Sequence, residues 1–297
     1  MSQDFSWLQS RWIPIIGWFK SIQLELRTYL NEVLEHLLLF LIFYIILCLL
    51  LYLLIMQWKL LSFRKDVKVT PKRVLFVIAH PDDECMFFGP TVLNFTRRPG
   101  CLVYLMCLST GKNYGMGTIR KRELYAACKV LGIKEECIIV QNHSYLPDSM
   151  SVKWPAEIAA QLILHQVALY DIDTLITFDK HGISRHLNHC SLYFAVAHLS
   201  TTKQLPNSCN VYVLESVNIV RKYWLLLDIP ISYILSRIRY IATNTDRCLL
   251  KRAMQQHQSQ YVWFRKLFLR FSRYQMINTL QKMDRQDIEL DLELDDD

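Results

Sequence analysis

From Leu37 to Met56 the chain carries no charged residue and consists almost wholly of Leu, Ile, Phe and Tyr. No other feature restricts the fold as much. A run of that length reaches across roughly 30 Å of hydrocarbon when helical. In lipid, only a helix or a closed barrel satisfies its own backbone polar groups. A signal peptide fits poorly, because the run starts late, is too long and lacks a small-residue cleavage site. Residues 37–56 are therefore expected to form one transmembrane helix. Lys59, Arg64, Lys65, Lys68, Lys72 and Arg73 follow it, whereas Arg27 with Glu25, Glu32 and Glu35 precede it. That bias places everything after the span on the cytosolic side. Residues 1–36 carry Trp7, Trp12, Trp18, Phe5 and Phe19. They are expected either to lie on the membrane surface as an amphipathic helix or to form a lumenal tail.

The remainder reads as a basic linker over residues 57–72, one domain over 73–280 and an acidic, disordered tail over 281–297. Within the domain, short apolar runs alternate with helical patterns. Val74–Ala79, Leu102–Leu108, Cys137–Val140, Thr174–Phe178 and Val211–Leu214 read as strands. Ile119–Leu131, stopped by Gly132, Pro155–Tyr170 and Asn188–Leu199 read as helices. The alternation predicts an α/β fold with a parallel sheet covered by helices on both faces. The segment from Arg221 to Asn278 is rich in Leu, aromatic and basic residues. Its Trp263–Arg265 and Phe268–Phe271 stretches predict an amphipathic helix, packed on the sheet or touching the bilayer.

Composition narrows the function. Nine cysteines without a CxxC pair support neither a disulfide framework nor a structural zinc site, and agree with a reducing compartment. The net charge of +7 comes without a nucleic-acid motif, so no nucleic-acid partner is expected; anionic lipid headgroups suit the basic clusters better. No obligate protein partner is evident. Asn94-Phe95-Thr96 and Asn142-His143-Ser144 match the glycosylation sequon, which stays silent on a cytosolic domain.

Chemistry concentrates behind two of the strands. His80-Pro81-Asp82-Asp83-Glu84 follows the first, and Pro81 stops that strand, so His80, Asp82 and Asp83 sit at its carboxyl end. Ligands of open α/β sheets bind along that edge. One imidazole and two carboxylates suggest a metal with a general base; the plainer reading is a helix N-cap by Asp82 or Asp83. Asp179-Lys180-His181-Gly182-Ile183-Ser184-Arg185-His186-Leu187-Asn188-His189 follows the fourth strand. His186 and His189 are three apart and share one face of an incipient helix. Both loops should open on the same edge of the sheet. Three protein ligands with an open position is the usual catalytic zinc arrangement, and imidazoles argue for zinc or another transition metal over Mg²⁺.

His80-Pro81-Asp82-Asp83-Glu84, Ser184-x-His186-x-Asn188-His189 and Arg120-x-x-Glu123-Leu124 together resemble the PIG-L/LmbE-like zinc deacetylases. The similarity runs from about Arg73 to Leu280, and Met254–Arg265 resembles a C-terminal motif of the eukaryotic branch. The resemblance implies a Rossmann-like domain that removes acetate from N-acetylglucosamine on a carrier. For the eukaryotic branch it implies a membrane-embedded glycophospholipid substrate, N-acetylglucosaminyl-phosphatidylinositol, in glycosylphosphatidylinositol anchor synthesis. It also implies single-pass placement in the endoplasmic reticulum membrane, with the catalytic domain on the cytosolic side. Matched by motif position, His80, Asp83 and His189 become zinc ligands, Asp82 the general base, His186 the group that polarises the amide carbonyl or steadies the oxyanion, and Arg120 a substrate contact. Arg185 departs from the family's usual small residue and is expected to face outward. His181 is extra to the pattern. Asp179 either orients an imidazole or faces solvent. The rival functions are deacetylation of a soluble amino sugar and a non-catalytic membrane scaffold of the same fold.

Overall fold

The computed structural model describes residues 4–58, 71–111, 115–284 and 288. Most of the expected linker and of the acidic tail lies outside the described residues. The chain divides into two units, residues 1–51 and 52–297.

Helix α1 (Asp4–Trp58) is unbroken over 55 residues. At 1.5 Å per residue it is about 80 Å long, more than twice the roughly 30 Å hydrocarbon thickness. Its Gly17–Leu54 part is long and apolar enough to cross a membrane, with a mean hydropathy of 3.2 in its most apolar window. Leu39, Phe40 and Leu50 stand exposed, which a core helix of a water-soluble domain would not show. The Trp-rich start of the chain is part of this same helix.

The second unit is built on a seven-stranded sheet in the order β3-β2-β1-β4-β5-β7-β6. Strands β1 (Arg73–Ile78), β2 (Leu102–Cys107), β3 (Ile138–Val140), β4 (Thr174–Phe178) and β5 (Asn210–Leu214) are parallel. All five match the apolar runs. Residues 74–79 are buried without exception, which is why β1 reads as a continuous apolar run and not as an alternation. The connections from β1 through β2 to β3 step one way across the sheet, and those from β3 through β4 to β5 step the other. Right-handed crossovers running in opposite directions put their helices on opposite faces. Accordingly, α3 (Gly89–Thr96) and α4 (Gly117–Leu131) pack together, as do α5 (Ala156–Leu169) and α7 (Leu187–Thr201). The order reverses between β1 and β4, where Val74 pairs with Thr174 and Phe76 with Ile176. A ligand crevice belongs at that switch point.

The expected parallel sheet is present in β1 to β5, and the whole sheet is mixed. Strands β6 (Ile238–Ile241) and β7 (Ile277–Lys282) extend it antiparallel beyond β5. Between them come α10 (Asn244–Met254), with a Thr243–Asp246 capping box, and α11 (Trp263–Phe271). β7 escapes sequence reading because polar residues interrupt it. Its Asn278 is nevertheless fully buried: the amide donates to the Phe87 carbonyl at 2.9 Å and accepts from the Thr91 hydroxyl at 2.8 Å. α11 buries Phe268 and Leu269 but leaves Trp263, Phe264, Leu267 and Phe271 exposed.

Candidate metal and active site

After β1 the chain turns tightly into the short helix α2 (Asp83–Met86). Asp83 Oδ2 accepts the backbone N–H groups of Ala79 (3.0 Å) and His80 (2.9 Å). The carboxylate therefore braces the turn behind it, and Asp82 makes no capping bond either, so the N-cap reading is set aside. Asp82 holds φ at 119°, a region that non-glycine residues rarely adopt. Such strain collects at functional sites.

The second loop leaves β4 through Asp179, whose carboxylate accepts from Gly182 N (3.0 Å), His181 N (3.1 Å), Ser216 N and the Ser216 hydroxyl (both 2.6 Å). Asp179 thus organises the loop and orients no imidazole. Gly182 has φ +53°, and a Cβ there would meet His189 Cβ at 2.7 Å. Only glycine lets α7 bring His189 this close. Its carbonyl lies 3.2 Å from His189 Nδ1.

These two turns bring His80, Asp83 and His189 together. His189 Nε2 lies 3.3 Å from His80 Nδ1 and 3.3 Å from Asp83 Oδ1, and His80 Nδ1 lies 3.8 Å from Asp83 Oδ2. All three residues are buried. The far nitrogens are committed elsewhere. His189 Nδ1–H donates to the Gly182 carbonyl. His80 Nε2–H donates to Asn188 Oδ1 at 3.0 Å and faces Asp148 Oδ1 at 3.3 Å. Asn188 is itself oriented, donating to the Val152 carbonyl (2.9 Å) and accepting from Ser149 N (3.1 Å). Two imidazole lone pairs and a carboxylate oxygen therefore converge in a buried space. That arrangement repels itself unless a cation or a proton sits between them. A tetrahedral zinc site with bonds of about 2.0–2.1 Å has donor–donor edges of about 3.3 Å, so the spacing fits a metal.

Electrostatics agree. Burial pushes the Asp83 carboxyl up, but His189, His80 and the backbone N–H of His80 outweigh it and hold the group below the carboxylate range. His189 is raised, since Asp83 overcomes the effect of burial; His80 is lowered by burial. The His189 ring stacks on Phe178 at 4.1 Å and on His186 at 4.8 Å, which fixes its plane.

Asp82 stands beside the cluster. Burial raises its pKa to about 7, opposed by Arg265 and reinforced by Asp83. Arg265 Nε lies 2.8 Å from Asp82 Oδ2, yet the N–H is not aligned as a hydrogen bond, and Oδ2 is a buried oxygen without a hydrogen-bond donor. His186 caps α7, its Nδ1 accepting from Asn188 N at 3.2 Å, so the ring proton sits on Nε2. Burial, then His189 and His80, pull its pKa down to about 4. Arg120 donates to Asp148 at 2.9 Å. The two link to His80 through the other Asp148 oxygen, while Arg120 Nε is buried without a partner. Gly111, at φ +67°, makes room for this guanidinium: a Cβ there would lie 2.4 Å from Arg120 Nη1. Arg185 and His181 are exposed.

The family model described as PIG-L: GlcNAc-PI de-N-acetylase matches residues 75–200. The N-acetylglucosaminyl-phosphatidylinositol de-N-acetylase of Bos taurus is 43% identical over 209 residues, covering 70% of this chain and 82% of its own. The chain belongs to the GlcNAc-PI de-N-acetylase family. A probable family enzyme of Dictyostelium discoideum is 36% identical over 239 residues, covering 70% of this chain and 92% of its own. The fold is shared with N,N'-diacetylchitobiose deacetylase from Pyrococcus horikoshii, at a TM-score of 0.55 and 17% identity over 78% of this chain and 91% of that one.

Several residues of this family member's site carry no local signal. Glu84 Oε1 meets His257 Nε2 at 2.6 Å, both side chains fully buried. Burial would lower the His257 pKa, but Glu84 outweighs it and raises it. Glu84 Oε2 accepts from Asp82 N at 3.1 Å. Gln275 Nε2 donates to the carbonyls of Cys85 and Met86, both at 2.9 Å. Ser259 donates through its backbone N–H and its hydroxyl to Glu123, at 2.8 and 2.5 Å. His257, Ser259 and Arg265 all lie in the C-terminal motif Met254–Arg265, whose run of polar residues between two helices was the available clue. Asp148 had a weaker one, an acid in the loop after β3 on the active edge. Glu84, Cys85 and His257 also form a potential donor group, but Glu84 and His257 already neutralise each other. Burial also holds the Cys85 thiol well above its ordinary pKa.

Proposed function

We propose that the chain is a zinc-dependent amide hydrolase that removes acetate from N-acetylglucosaminyl-phosphatidylinositol to give glucosaminyl-phosphatidylinositol, the second step of glycosylphosphatidylinositol anchor synthesis. The convergence of His80 Nδ1, His189 Nε2 and Asp83 Oδ1, with the far nitrogen of each imidazole engaged in donating, carries this reading. A zinc ion held by these three residues supplies Lewis acidity that polarises the acetamide carbonyl and acidifies water. Asp82 Oδ2, buried and without a hydrogen bond, takes the proton of the attacking water. His186 offers its Nε2–H to the carbonyl oxygen as negative charge develops there. The carbon–nitrogen bond then breaks, and the proton held by Asp82 passes to the leaving amine. Arg120, with an uncommitted Nε, contacts substrate oxygens beside Asp148.

The proposed placement is the endoplasmic reticulum membrane, crossed once by α1, with the second unit on the cytosolic side. Asn94 and Asn142 are both exposed, so burial would not shield them from the glycosylation machinery. Both are expected to stay unglycosylated in cells, and a glycan on either would reverse the orientation. The reaction is tested by acetate release. Purified protein is expected to act on the glycophospholipid and far more slowly on free N-acetylglucosamine. Equal rates would favour a soluble amino sugar, and no release from either would favour a non-catalytic scaffold.

A further inference from the structure

Helix α11 is turned the wrong way for a protein in water. Its nine residues, Trp263–Phe271, bury Phe268, Leu269 and part of Arg265 and present Trp263, Phe264, Leu267 and Phe271 outward, with Trp263 72% exposed. At 3.6 residues per turn these four occupy one arc of the helix. Lys266 and Arg270, also exposed, flank that arc on one side. Surface helices normally show the reverse, with the apolar stripe toward the core and the polar face out.

The patch continues beyond α11. The short helix α8 (Ile219–Lys222) leads into Tyr223, whose ring contacts Phe268 at 6.4 Å, and Lys222 Nζ lies 5.7 Å from the same ring. Ile219, Tyr223 and Trp224 are themselves exposed. Contiguous apolar surface of this kind marks an interaction site.

We propose that this patch is a membrane-docking face, seated at the headgroup level of an anionic bilayer beside the active site. Three observations select lipid over a protein partner. First, the exposed residues are Trp, Phe, Tyr and Leu alternating with Lys and Arg, the composition of helices that lie in the interface plane. Second, no Asp or Glu occurs between Asp246 and Asp284, whereas the exposed Lys266 and Arg270 lie there beside the arc. An anionic headgroup region complements that charge. Third, the opposite side of the same helix belongs to the site. Arg265 reaches Asp82 at 2.8 Å. Phe268 meets Phe87 at 5.5 Å, and Phe87 meets His189 at 5.6 Å. A helix with its side chains is about 10–12 Å across, so docking the outer arc holds the proposed base and metal ligands within roughly one helix diameter of the headgroups. A lipid-linked sugar then reaches the site without leaving the bilayer.

The test uses full-length protein in nanodiscs of phosphatidylcholine and phosphatidylinositol. An environment-sensitive fluorescent amino acid replaces Phe264 or, as a control, the exposed Leu169 at the end of α5. Spin-labelled lipid is expected to quench the probe at position 264 and not at 169. Absence of quenching at 264, or equal quenching at both, would overturn the proposal, and a protein partner or a second copy covering the patch would give the first of these results. A second readout is the combined variant Trp263→Gln, Phe264→Gln, Leu267→Gln. Its KM for bilayer-embedded substrate is expected to rise about tenfold, about 1.4 kcal/mol. Its rate on the water-soluble headgroup without acyl chains stays unchanged, which also shows that the variant folds. Equal losses on both substrates, or none on either, would contradict the proposal. The kinetic readout rests on the deacetylase reading and the quenching readout does not, so failure of one is separable from failure of the other.

Discussion

The loops after β1 and β4 and the segment from α10 to β7 meet at the same five residues, His80 to Glu84, but they treat them differently. The loops bring the proposed metal donors: His80, Asp83 and His189 converge within 3.3–3.8 Å of one another. The C-terminal segment adds nothing to that cluster and holds the loop instead. His257 takes Glu84, Arg265 takes Asp82, and Gln275 takes the carbonyls of α2. Reactive groups here come from tight turns of the switch point, and their support comes from residues 173 to 190 positions away in the chain.

If that division of labour holds, damage to the two regions differs in kind. Damage to the donors removes the metal: His189→Ala is expected to abolish both bound zinc and acetate release while leaving a folded chain, as read by metal analysis and circular dichroism. Damage to the support removes stability. His257→Ala leaves Glu84 as an uncompensated buried charge and is expected to cost about 3–5 kcal/mol, measured as a shift of the denaturation midpoint. The pair also predicts a pH trend. The folded-state pKa of His257 is raised above its unfolded value. Its stabilising contribution is therefore complete below about pH 6.5 and is lost as pH climbs through the folded pKa. His257→Gln should flatten that part of the stability curve.

Asn188 sharpens the comparison, because it lies in the β4 loop motif but donates nothing to the cluster. Its amide fixes the His80 tautomer. Asn188→Ala is expected to weaken zinc affinity about 10–100-fold without abolishing activity at saturating zinc, as measured by chelator competition. Arg265→Gln should have the smallest effect, a fall in kcat of roughly tenfold with zinc content unchanged, since it removes a partner of Asp82 and touches no donor.

What was legible in the sequence follows the same line. β1 to β5 announced themselves because strands buried on both faces are apolar throughout. The two histidine-bearing loops stood out because both follow such strands. β6 did not, since Arg239 interrupts its four half-buried residues. β7 was hidden by Asn278, a polar residue buried only because Phe87 and Thr91 satisfy its amide. Asp148 reaches His80 from a loop without periodicity, and the Glu84–His257 pair joins two residues that no local pattern connects. Residues whose role depends on a distant partner leave no period to read. Whether the α11 stripe packs on the sheet or faces outward stayed open for a related reason: periodicity locates an apolar stripe but not the side it faces.

The neighbours Asp82 and Asp83 offer the most direct test of the central claim, that adjacent carboxylates divide into proton acceptor and metal donor. Asp83 is braced by two backbone N–H groups and faces His189, whereas Asp82 faces Arg265 with an oxygen left open. Zinc content and kcat of Asp82→Asn and Asp83→Asn are compared in one buffer. Asp82→Asn is expected to keep its zinc and its KM while kcat falls about 10²–10⁴-fold. Asp83→Asn is expected to lose zinc, with activity partly restored by added metal. Loss of zinc from Asp82→Asn together with retention in Asp83→Asn would exchange the two roles and contradict the site described here.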